Sequence, residues 1–274
     1  MEWLRFLSIK NKKKIMSAKN LISDKKVEKK RYELRAQNIL KKNQFNSPQL
    51  GSKSIKLFLR SPYLFYEKTI RDFIKPDHEV LEIGSGFGEH TYCLLKTNAK
   101  VTATDISKDS LKVLKNVFSK YVKKKRLIVK VADMESLPFE NGTFDIVVCA
   151  GSLSYGKSET VDYQIRRVLK SNGRFICVDS LNNNVIYRLN RFMHFLNGSR
   201  SKMTILNMPD INRLESMMEK YNKVDINYFG SVTYLLPVIS ILIGEYYSNT
   251  FSNYIDKMIR VKNSAFKFVL NAKV

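Results

Sequence analysis

Between His78 and Ser180 the chain alternates short apolar runs with longer segments of helical spacing, and this alternation leaves few folds open. HEVLEI (78–83), KVTATDI (100–106), LIVKVADM (127–134), FDIVVCAGSL (144–153) and GRFICVDS (173–180) have the length and β-branched content of buried strands. GEHTYCLLK (88–96), SKDSLKVLKNVFSKYV (107–122) and SETVDYQIRRVLK (158–170) carry apolar residues at helical spacing, the second with Ser107 as its N-cap. Strands joined through helices run in parallel, with right-handed crossovers that cover both sheet faces. In such sheets ligands bind beyond the carboxyl ends of the strands, so the residues that follow each strand are the candidates for function.

The first strand ends in three glycines on alternate positions, VLEIGSGFGEH (80–90). A lone Gly-x-Gly-x-Gly also serves plain tight turns, and the neighbouring residues discriminate. A dinucleotide fingerprint needs a glycine at position 89, where this chain has Glu89, and Glu82 adds a second carboxylate just before the loop. Two carboxylates suit a cation better than a pyrophosphate. S-adenosylmethionine (SAM) carries a sulfonium and an ammonium, and the amides of Gly84, Ser85 and Gly86 can meet its carboxylate. Asp105 ends the second strand, where it can accept both ribose hydroxyls, with Ile106 beside the adenine. Asp133 ends the third and can accept from the adenine amino group, with Met134 as an apolar wall.

Together, VLEIGSGFGEHT, VTATDIS, VADMESLPFENGTFDIVVCAGSL and RVLKSNGRFICVDS resemble the class I SAM-dependent methyltransferases, in particular the group called methyltransferase type 11. The resemblance covers about residues 63–180. It implies an α/β, Rossmann-like fold: a seven-stranded, mostly parallel sheet with helices on both faces and an antiparallel last hairpin, supplied by Lys223–Phe229 and Ser264–Val274. It assigns SAM binding to Glu82, Gly84, Gly86, Asp105 and Asp133, and puts Ala150 at the methionine end. The segment from Leu196 to Gly244 is loosely similar to methyltransferases of glycan and natural-product biosynthesis, which favours a small or glycan-linked acceptor carried on a nucleotide or a lipid.

The residues expected to meet the acceptor follow the fourth and fifth strands. In VIYRLNRFMHFL (185–196), Val185, Leu189, Phe192 and Leu196 form one stripe at helical spacing and Tyr187, Arg191 and His194 another. The polar stripe, with Arg188, is expected to read an anionic acceptor, with His194 as the base and Tyr155 and Asp179 as rivals. The competing reading is a solvated face on a capping helix. His90, in the first turn after the glycine loop, is expected chiefly to shape the pocket.

The expected organisation is a basic arm and helix over residues 1–46, then a methyltransferase domain over 47–274 with an acceptor-binding cap at about 181–220. In the arm, Val27, Leu34 and Ile39 are expected to share a helix face, and Lys10–Lys30 is expected to behave as a solvated tail that SAM binding does not need. The formal charge of +23 invites anionic partners. An excess of Lys, Asn and Ile also follows from an AT-rich genome, so the charge does not choose between a small-molecule enzyme, an RNA methyltransferase using its arm, and a non-catalytic SAM-binding protein. Against RNA, no aromatic base-stacking platform is visible. Cys93, Cys149 and Cys177 read as core residues in a reducing compartment, with no metal-ligand spacing. The start MEWLRFLSIKNKKK lacks the apolar core of an export signal, and YLLPVISILIG (234–244) is shorter than the roughly 20 residues of a spanning helix. A cytoplasmic location follows, with contact to a membrane surface as an extension, although burial is the expected use of that apolar stretch.

Overall fold

The computed structural model describes residues 25–41, 50–197, 201–258 and 262–274. Seven strands form one sheet: β1 (Glu79–Ile83), β2 (Lys100–Asp105), β3 (Leu127–Val131), β4 (Phe144–Ala150), β5 (Leu169–Ser180), β6 (Lys223–Phe229) and β7 (Lys267–Lys273). Their order is β3-β2-β1-β4-β5-β7-β6. The first five strands are parallel, and β7 enters antiparallel between β5 and β6. Central strands bury both faces, with Leu81, Val147, Val148, Phe175 and Ile176 all out of solvent. The edge strands β3 and β6 alternate or expose their residues, and β3 carries Lys130 toward water, which discourages pairing with another chain.

The helices are α1 (residues 25–41), α2 (Ser61–Phe73), α3 (Thr91–Leu95), α4 (Lys108–Val117), α5 (Ser119–Lys123), α6 (Ser158–Val168), α7 (Val185–Leu196), α8 (Lys202–Leu206), α9 (Ile211–Met218) and α10 (Leu236–Met258). They cover the sheet with two apolar layers. One packs Val161, Ile165, Leu214 and Met217 of α6 and α9 on Val147, Phe175 and Phe268. The other packs Tyr66, Ile70, Leu94 and Leu114 of α2, α3 and α4 on Val80, Val101 and Val148. Ser107 caps α4, its hydroxyl accepting from the Ser110 amide at 3.2 Å. The single helix expected over 107–122 divides at Phe118, whose ring turns inward against Gly88, where an added Cβ would lie 2.6 Å from it. Pro62 sits in the first turn of α2, where its missing N–H costs nothing.

Three elements differ from expectation. In α1 the residues facing the body are Glu28 and Ala36, while Val27 and Leu34 are each 53% exposed. In α7 two members of the polar stripe, Tyr187 and Arg191, are buried, while its third, His194, and the apolar Val185, Leu189, Phe192 and Leu196 face solvent. The stretch 234–244 is largely exposed rather than buried. It forms the start of α10, which kinks at Gly244 (φ +79°).

Candidate active site

β1 delivers the chain into the glycine loop, where Gly84 and Gly86 have φ of +65° and +54°. At Gly84 a Cβ would collide with the Ser152 side chain, so the loop lies directly against the turn after β4. At Gly86 nothing lies within 4 Å, because that position faces a cavity. The loop is held by the Ser85 amide donating to the Thr104 carbonyl at 2.9 Å and the Gly86 amide donating to Asp105 Oδ2 at 3.0 Å. Asp105 also accepts from the Ser107 amide at 2.8 Å.

The cavity is about 260 Å³ and runs along the strand ends from β3 to β4. Every expected cofactor residue lines it: Glu82, Gly84, Ser85, Gly86, Asp105 and Ile106 from the first two strands, then Asp133, Met134 and Ala150 from the third and fourth. Tyr155 lines it as well. Asp179, Tyr187, Arg188, Arg191 and His194 do not. Asp179 is spent on backbone, accepting from the Leu153 amide at 2.9 Å and from its neighbour Ser180. Tyr187 donates to the Gly230 carbonyl at 2.7 Å and accepts from the Tyr234 amide at 3.1 Å. Arg191 donates to the Leu181 carbonyl at 2.8 Å and to Asn182. Arg188 and His194 are exposed on α7, away from the cavity.

Two parts of the wall were not anticipated. Residues Lys25, Glu28, Lys29, Tyr32 and Arg35 of α1 close the cavity from above. Lys25 pairs with Asp133 at 2.8 Å and Glu135 at 2.7 Å, the Tyr32 and Tyr155 hydroxyls share a 3.1 Å hydrogen bond, and Arg35 lies 5.4 Å from the Phe87 ring centre. Glu28 Oε1 accepts from the Ser201 amide at 3.1 Å and the Thr204 hydroxyl at 3.2 Å, fastening α1 to the start of α8. The expectation that SAM binding is indifferent to the whole of 10–30 therefore meets a contrary geometry from Lys25 onward; residues 10–24 lie outside the described residues. No local pattern announces these contacts: Arg35 and Phe87 are 52 positions apart, and the others join residues more than 100 positions apart. The second part is Tyr63, which lines the cavity beside His90, the histidine expected to shape it. Their rings stack at 5.3 Å and nearly parallel, and Lys267 stands over the Tyr63 ring at 5.1 Å.

Two buried polar atoms bordering the cavity, Ser85 Oγ and His90 Nδ1, have no hydrogen-bond partner among the described residues. Burial and the nearby Lys267 ammonium press the His90 imidazole down to about 4, although Glu67 opposes this, so it is neutral at physiological pH. Burial pushes the Glu82 carboxyl up to about 8, despite a 2.6 Å hydrogen bond from Thr91. Burial also raises Asp105. The site thus offers buried carboxyls, a side-chain-free approach at Gly86 and unmatched polar atoms. That set fits a cationic sulfonium amino acid joined to a nucleoside, and Glu89 on the wall disfavours a pyrophosphate.

Sheet order and strand-end chemistry together define a class I SAM-dependent methyltransferase domain, with SAM as its cofactor. Residues 81–177 match the family described as "Methyltransferase domain". Over 105 residues the chain is 31% identical to a sterol 4-C-methyltransferase of Caenorhabditis elegans, covering 38% of this chain and 31% of that one. Over 125 residues it is 29% identical to a demethylmenaquinone methyltransferase of Symbiobacterium thermophilum, covering 42% and 49%. The chain spans less than half the length of the curated relatives it matches. Among solved structures, the geranyl diphosphate C-methyltransferase of Streptomyces coelicolor shares the fold, with a TM-score of 0.55 at 14% identity over 84% of this chain and 83% of that one.

Proposed function

We propose that this protein transfers the methyl group of SAM to a hydroxyl or amine of a small-molecule acceptor, which could be sugar-containing and carried on a lipid or nucleotide. The observation that carries the reading is the cavity's continuation past the strand-end carboxylates to Tyr63 and the unpartnered His90 Nδ1. Asp133 and Met134 would hold the adenine, Asp105 the ribose, and the glycine loop with Glu82 the methionine portion. When bound, SAM supplies an already activated methyl group, so the chain's task is alignment and exclusion of water. The α1 helix would serve the second purpose. A histidine held neutral near 4 is a weak base but a constant hydrogen-bond acceptor, suited to orienting the O–H or N–H of the attacking group. Burial raises the Tyr155 hydroxyl far above its ordinary range, so it remains a donor facing the same space.

The relatives named for sterol and demethylmenaquinone methylation support an acceptor with a substantial apolar part. Such an acceptor accords with a cytoplasmic enzyme working at a membrane surface. Incubation of the protein with methyl-labelled SAM and with separated metabolite, lipid and RNA fractions tests the reading. Label is expected in the metabolite or lipid fraction; label confined to RNA would install the RNA reading instead, and no transfer despite SAM binding would favour a non-catalytic binder. In parallel, Gly86→Val should abolish S-adenosylhomocysteine binding in calorimetry, since its side chain would enter the cavity from a left-handed backbone.

A further inference from the structure

Two helices of this protein are built inside out. α10 buries Leu236, Ser248 and Ser252, while Val238, Ile241, Leu242, Tyr246 and Tyr247 face solvent. Ile241 and Leu242 are 82% and 79% exposed. Its inward contacts are polar: Asn249 Oδ1 accepts from the Ser61 hydroxyl at 3.1 Å, and Asp256 accepts from the Gly230 and Ser231 amides at 2.6 and 3.1 Å. α7 repeats the inversion, with Tyr187 and Arg191 inside and Val185, Leu189, Phe192 and Leu196 outside. Tyr187 of α7 packs on Tyr234, two residues before α10 begins, with ring centres 5.9 Å apart. Scattered exposed apolar residues are ordinary, but two helices that each turn polar groups inward and a row of apolar ones outward present faces of the kind that mark an interaction surface.

We propose that the outer faces of α7 and α10 seat the protein on an anionic lipid bilayer. Charge decides among occupants. A second copy would bring another +23 against the first, whereas an anionic leaflet attracts the same charge. Arg188, Lys202 and Lys257 are exposed on or beside these helices, positioned as the cationic flank of an apolar face. Tyr246 and Tyr247 follow the aliphatic run after Gly244 and the exposed Glu245, and tyrosine is favoured at the lipid–water boundary. No helix among the described residues is long and apolar enough to cross a membrane, and the break at Gly244 divides α10 into two lengths suited to lying in the interface. The location also bears on the site: α8 follows α7, packs on it, and supplies Met203 and Thr204 to the cavity wall. A lipid-borne acceptor would then reach the cavity from the bilayer, a consequence that rests on the methyltransferase reading, whereas the docking itself does not.

Flotation of the full chain with phosphatidylcholine vesicles, with and without phosphatidylglycerol, tests the docking. The chain is expected to float with the anionic vesicles. Ile241→Glu/Leu242→Glu and, separately, Leu189→Glu/Phe192→Glu should each reduce the bound fraction at least tenfold while melting temperature and S-adenosylhomocysteine affinity stay put. No flotation of the parent chain overturns the proposal, as does flotation untouched by either double substitution, which would reduce the effect to bulk charge. Concentration-dependent self-association removed by the same substitutions would assign the face to a second copy. Absent S-adenosylhomocysteine binding with normal flotation would fail the cofactor reading alone.

Discussion

A carboxyl group buried beneath a loop built for a cation should titrate with its ligand. Glu82 is held up near 8 by burial, so at neutral pH it is mostly protonated. A sulfonium or ammonium close by favours the carboxylate, and binding should therefore expel a proton. We expect SAM affinity to rise as pH climbs toward 8 and to level off above it. Calorimetry in buffers of different ionisation heat should register proton release at pH 7 that disappears in Glu82→Gln. Affinity that is flat between pH 6 and 8 would contradict this. Stability without ligand runs the other way. Because the folded-state value lies above the ordinary 4.5, the neutral form favours folding below that value, and this advantage is lost as pH rises through about 8. At the neighbouring strand end, Asp105→Ala should weaken binding by about 1–3 kcal/mol, the worth of a charge-assisted hydrogen bond, read as a roughly 5- to 150-fold rise in Kd.

Among the elements, α1 is the one whose removal should be most informative. Deleting residues 1–41 removes the ion pairs from Lys25 to Asp133 and Glu135 and the Tyr32–Tyr155 hydrogen bond, opening the cavity to water. S-adenosylhomocysteine should bind at least tenfold more weakly, and Glu28→Ala should reproduce part of that loss by releasing α1 from Ser201 and Thr204. Equal affinity in the deletion variant would return the helix to the role of a solvated arm. The central strands were legible from the sequence because a strand buried on both faces must be apolar throughout; the expected runs contain β1 to β4, β5 starts four residues earlier than its run, at Leu169, and β6 coincides with the Lys223–Phe229 that the family resemblance implied. That the expected cofactor residues would share one cavity was legible for the same reason, since they follow strands whose ends were already fixed. The α7 stripes were also legible, but periodicity separates two faces without saying which turns inward. Arg191 and Tyr187 face in because the backbone carbonyls of Leu181 and Gly230 require donors there. The contacts of α1 span too much sequence for any local pattern to carry them.

For the whole molecule, the cavity brings together the glycine loop, four strand ends, α1 and α8. A ligand held by all of these should stabilise the fold as a unit. At a hundredfold excess over Kd, the product S-adenosylhomocysteine should add about 2.7 kcal/mol, which for a chain of this size is roughly 5–10 °C in Tm. Scanning calorimetry with and without it provides the measurement, and an unchanged Tm at saturating ligand would count against a shared site.

The bond between Glu28 and Ser201 joins positions 173 residues apart, and it also orders events during synthesis. The α1 segment leaves the ribosome long before the surface it will cover exists, and at about 5–20 residues per second it waits roughly 9–35 s for Ser201 to be made. Throughout that interval a nascent helix with only modest apolar content must avoid other chains. Lys25, Lys26, Lys29, Lys30 and Arg31 give it a charge that resists aggregation, and two of them later grip the finished domain, Lys25 through Asp133 and Glu135 and Arg31 through the Tyr155 hydroxyl.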